Sequence, residues 1–68
     1  MYRIEIENKE KKIVTIYEVV GTLADAKKLA QEQREWTLFA FTLETATAFI
    51  WNLDIGGIDA ILDKKGWS

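Results

Sequence analysis

Sixty-eight residues leave room for one small domain, and a 49% hydrophobic content with three Trp, three Phe and two Tyr is enough apolar material for a compact fold rather than a disordered chain. Nine Lys plus Arg against eleven Asp plus Glu give a net charge of −2, too mild and too mixed for the electrostatic footprint of a nucleic-acid binder. With no Cys and no His, disulfides, thiolate catalysis, ordinary zinc sites and an imidazole base are excluded.

Residues 2–7, Tyr-Arg-Ile-Glu-Ile-Glu, alternate with period two, so Tyr2, Ile4 and Ile6 take one face of a strand and Arg3, Glu5 and Glu7 the other. The polar run Asn8-Lys9-Glu10-Lys11-Lys12 reads as a hairpin turn, although the Asn-Gly or Asp-Gly that fixes a type I′ turn is missing. Residues 13–20, Ile-Val-Thr-Ile-Tyr-Glu-Val-Val, are β-branched and aromatic and read as the second strand.

Gly21 ends that strand. Thr22 is a natural N-cap, and Asp25, three residues on, approximates a capping box. Leu23, Ala26, Leu29, Ala30 and Gln33 recur at spacings of three and four, a narrow stripe rich in alanine that suits close approach to a sheet. From Trp36 the pattern switches to strand, with Leu38, Ala40 and Thr42 on one side and Phe39, Phe41 and Leu43 on the other.

A further strand, residues 48–53, sets Phe49, Trp51 and Leu53 on one face and Ala48, Ile50 and Asn52 on its reverse. This second hairpin is apolar on both faces, so its outer face needs a cover. The tail supplies a candidate: Ile58, Ile61 and Leu62 fall on one helical face, Lys64 and Lys65 lie in the last turn, and Gly66 is a C′ stop. The expected architecture is one α+β domain over 1–68, a ββαββ hairpin-helix-hairpin with a four-stranded antiparallel sheet and a short C-terminal helix.

Constellations for chemistry are weak. Gly56-Gly57 lacks both G-x-G-x-x-G and the Walker lysine and reads as a turn. Asp54, Asp59 and Asp63 do not have the spacing of a calcium loop, and Glu5 with Glu7 share a strand face with no pocket expected beside them. The Lys9 to Lys12 turn has one nearby aromatic, Tyr17, where single-strand binders interleave several with basic residues. No catalytic residue, metal, cofactor, nucleic acid or small-molecule substrate is therefore expected.

The aromatics carry more. Trp36, Trp51 and Trp67 cannot all lie deep in so small a core, and Trp and Tyr concentrate at binding hot spots. Trp51, Trp67, Phe39, Phe41 and Tyr17 are the candidate partner-binding residues. Trp51 is also a candidate core residue, and Trp67 either folds back as a lid or stays open to a partner.

The stretch Tyr17 to Ala30, YEVVGTLADAKKLA, followed by an aromatic segment and the closing Lys-Lys-Gly-Trp-Ser, resembles small phage-encoded proteins and is similar in layout to some anti-CRISPR proteins. The layout is also similar to the immunoglobulin-binding domains of bacterial protein G, from which the extension Ile55 to Ser68 departs. The phage resemblance implies a stoichiometric binder that occupies the surface of a host or defence enzyme, and it transfers no functional residue. The chain is thus expected to be a non-enzymatic protein-binding module. The alternatives are a homo-oligomer assembled through the apolar second hairpin and a weak nucleic-acid binder. No segment approaches the ~20 apolar residues of a membrane span and the start lacks a signal-peptide run, so a cytoplasmic location without a membrane partner is expected.

Overall fold

The computed structural model describes residues 1–68. In chain order the elements are β1 (Tyr2–Glu7), β2 (Ile13–Val19), α1 (Leu23–Ala40), β3 (Thr47–Asn52), β4 (Gly57–Asp63) and β5 (Gly66–Trp67). The strands pair antiparallel in one sheet of order β2-β1-β3-β4-β5, and α1 crosses one face. The α+β class, the first hairpin and the capped helix follow the sequence.

The first turn forms without Asn-Gly. Lys11 N–H bonds the Asn8 carbonyl at 3.0 Å, Lys11 takes φ +62°, and Asn8 Oδ1 accepts from the amides of Glu10 and Lys12, both at 3.0 Å. An Asx turn thus closes a three-residue loop with its third residue left-handed.

At the helix start Thr22 Oγ1 accepts from Asp25 N–H at 3.2 Å and Asp25 Oδ2 accepts from Thr22 N–H at 3.0 Å, a complete capping box. Gly21 sits at φ +152°, and a Cβ there would lie 2.7 Å from Asp25 Oδ2, so glycine keeps the carboxylate free to cap. The donors on Thr22, its backbone N–H first, hold the Asp25 carboxyl below the usual range.

Two expected elements are replaced. Trp36 to Leu43 is not a strand, because α1 runs on to Ala40. Thr37, wholly buried, continues the stripe of Ala26 and Ala30, and its hydroxyl lies 3.3 Å from that of Thr15 on β2. Arg34 Nε donates to the Ala46 carbonyl at 2.7 Å and ties the fourth turn of the helix to the chain entering β3. The helix ends in a Schellman motif: Leu43 N–H reaches the Leu38 carbonyl at 3.0 Å and Thr42 N–H the Phe39 carbonyl at 3.3 Å. Thr42 occupies the left-handed position, φ +49°, where glycine is usual.

Nor is the tail helical. Residues 57–63 form β4 against β3, and a two-residue turn at Lys64-Lys65 leads to β5, with Gly66 at φ +107°. The sheet therefore has five strands rather than four. The register shifts between Ile50 and Trp51, leaving Asp59 as an extra residue on β4. This bulge sets Ile58 and Ile61 on the same side of a strand, which mimics the spacing of a helix.

The core lies between α1 and the sheet. Ile4 and Ile6 of β1, Ala48 and Ile50 of β3, and Ala60 and Leu62 of β4 meet Ala26 and Ala30 of the helix, with Ala46 at the margin. Alanine on the helix lets its backbone approach the sheet, while each buried isoleucine contributes about 1.5 to 3 kcal/mol relative to exposure.

Candidate functional site: the helix-free face of the sheet

Alternation along the strands places a second set of side chains on the face opposite α1. In register, Arg3 of β1 stands between Glu18 of β2 and Trp51 of β3, and Trp51 is followed by Ile58 of β4. In the next row Glu5 stands between Ile16 and Phe49, and Phe49 is followed by Ile61. A charged column on β1 is thus flanked by isoleucine on one side and by an aromatic and isoleucine group on the other.

Burial divides the face. Phe49, Trp51 and Ile61 are half-buried by their neighbours, whereas Ile16 and Ile58 are exposed. Trp51 Nε1 donates to Glu5 Oε1 at 3.0 Å, which satisfies the one polar atom of the indole and fixes the ring across β1. Arg3 reaches Glu18 at 3.4 Å, an exposed pair that adds little stability. Glu5, Glu7, Glu18 and Asp63 share the face with a single cation, Arg3, so the apolar group lies in an acidic surround. Nothing in this chain covers it, and the expected covering helix is instead part of the sheet.

Of the candidate residues only Trp51 lies here. Trp67, at the far edge, is opposite Leu62 and so faces the helix side, with Lys27 Nζ 5.2 Å from its ring centroid. Tyr17 is opposite Ile4 and packs on the core. Phe39 and Phe41 end the helix, where Phe41 meets Trp36 edge to face at 6.3 Å between centroids and 82° between planes. The five residues occupy four separate regions. The sequence already set Phe49 beside Trp51 on one strand face; Ile58 and Ile61 are hidden by the helical spacing that the bulge at Asp59 gives them, and Ile16 by a strand order that no local pattern specifies.

A cleft of about 230 Å³ opens elsewhere, between the β1–β2 turn and the loop of residues 42–45. Lys9 Nζ and Glu44 Oε2, 2.9 Å apart, span it, and its walls are polar. No three Asp or Glu side chains converge as a metal-ligand group, and no helix is long and apolar enough to cross a membrane. Comparison with protein-family models, curated proteins and solved structures finds no match to this chain.

Proposed function

We propose that this chain is a small non-enzymatic protein-binding module, of the type that phages and mobile elements use to occupy the surface of a host or defence protein in the host cytoplasm. The observation that supports this reading is the uncovered group Phe49, Trp51, Ile58 and Ile61, held rigid on central strands and rimmed by carboxylates. An indole already anchored by its own hydrogen bond loses little side-chain entropy on binding, which favours its use as a hot spot. The acidic rim selects a partner whose contact patch joins apolar side chains with Lys or Arg.

Affinity capture from bacterial lysate with wild type, Ile58→Lys, Trp51→Ala and Phe39→Lys, each checked for folding by circular dichroism, tests the reading. One stoichiometric partner kept by Phe39→Lys and lost by the two face variants supports it. A partner kept by the face variants, or none at all, refutes it.

A further inference from the structure

The two edges of the sheet are unlike. At one end β5 is two residues long, and the bulge at Asp59 disrupts the adjoining part of β4, so that edge is blunted. At the other end β2 presents seven residues whose outer side pairs with nothing. Ile13 and Ile16 on this strand are 47% and 55% exposed, and Val20 just beyond it is 85% exposed.

We propose that β2 is the seam of a homodimer, in which two copies pair antiparallel about a two-fold axis at Thr15 and make one continuous ten-stranded sheet. Three observations converge on a second copy of this chain as the occupant. The first is charge: β2 is entered from Lys11 and Lys12 and left through Glu18. Antiparallel pairing about Thr15 brings the lysine end of each copy against the glutamate end of the other, twice, whereas parallel pairing stacks lysine on lysine.

The second is face parity. The β1–β2 register shifts between Ile6 and Glu7, leaving Val14 as an extra residue, so Ile13 and Val14 both lie toward the helix-free face opposite Glu7. In the dimer this pair stands opposite Ile16 of the other copy, on the same face. An apolar cluster forms there on each side of the axis.

The third is the layer above. Thr37 touches Thr15, so the last turns of α1 cross over β2. Lys27 and Arg34 lean toward β5 and β3 through Trp67 and Ala46, and helical spacing puts Trp36 on the opposite flank, toward the free edge. Trp36 is 54% exposed with Phe41 packed on it, and the two-fold axis lays each such pair over the other copy. Edge pairing supplies main-chain hydrogen bonds, and the two-fold axis adds an aromatic contact on each side of the seam. The seam uses neither Trp51 nor Phe49, so it stands or falls apart from the proposed function.

A charge exchange tests it, read by sedimentation equilibrium from about 10 μM to about 1 mM. Chain one carries Glu18→Lys and chain two carries Lys11→Glu with Lys12→Glu, all at exposed positions. Expected are a wild-type dimer, at least tenfold weaker self-association of either variant, and recovery when the two variants are mixed, with circular dichroism unchanged throughout. Ile16→Lys, also exposed, is expected to give a folded monomer. A wild type that stays monomeric at about 1 mM overturns the proposal and leaves the edge to an extended segment of another protein. Variants that dimerise as well as wild type, or a mixture no tighter than its parts, overturn it equally.

Discussion

Trp51 on β3 reaches diagonally across to Glu5 on β1, two residues beyond its register partner Arg3, the indole Nε1 donating to the carboxylate at 3.0 Å on the side of the sheet that α1 leaves bare. The bond converts a mobile aromatic into a fixed one. Glu5→Ala leaves a half-buried indole N–H without its protein partner and is expected to lower stability by about 1 kcal/mol. Glu5→Gln retains an acceptor and should lose less. Urea unfolding of the three chains, followed by far-UV circular dichroism, checks the order; equal stabilities would mean that water replaces the bond without loss.

The capping box gives α1 a dependence on acid. Because Thr22 favours the ionised form of Asp25, the folded-state pKa lies below the unfolded one, near 3.8. Its contribution is therefore present above the unfolded pKa and is lost as pH falls through the folded value. Asp25→Asn is expected to flatten the decline of the urea midpoint as pH falls from about 5 to about 2. Thr22→Ala removes the other half of the box and should cost about 1 kcal/mol at neutral pH. Gly21→Ala should also destabilise, by crowding the same carboxylate.

Thr42 predicts a gain. A β-branched residue at φ +49° carries strain of about 1 kcal/mol or more that glycine does not, and its side chain bonds only the preceding carbonyl, at 2.7 Å. Thr42→Gly is expected to raise stability by about 1 kcal/mol, a rise of several degrees in Tm for a domain of this size. A fall in Tm would show that the hydroxyl outweighs the backbone.

The core predicts the largest loss. Ile50, wholly buried, stands in register between Ile4 and Ala60 beneath the helix. Ile50→Ala should cost about 2 to 5 kcal/mol, enough to unfold much of a domain whose total stability is on the order of 5 kcal/mol. Ala30→Leu should be damaging for the opposite reason, since the helix backbone sits too near the sheet to admit three more carbons. Thermal unfolding distinguishes both from an exposed control such as Ala24→Leu.

What could be read in advance follows from where local pattern and tertiary contact agree. In β1 every second residue enters the core and in α1 the cap is written in three residues, so both are legible. Trp36 to Leu43 has strand propensity and alternation, yet no Gly or Pro lies between Gly21 and Gly56 to end the helix before it. Burial of Thr37 against β2 decides the matter, a long-range contact that no local rule contains. In the tail, the bulge at Asp59 shifts the period by one, so Ile58 and Ile61 share a strand face at a helical spacing. The candidate face was half visible, in Phe49 and Trp51, but its other half depends on β4 being a strand and on β1 lying between β2 and β3.

The three indole N–H groups offer the most direct test of the proposed binding face, since Trp51 lies on it, Trp67 lies at the far edge toward the helix, and Trp36 lies at the end of α1. In a ¹⁵N-labelled sample titrated with the captured partner, the Trp51 indole resonance is expected to shift or broaden while that of Trp67 keeps its position. Movement of Trp67 or Trp36 with Trp51 unchanged would place the partner elsewhere and contradict a role for the helix-free face.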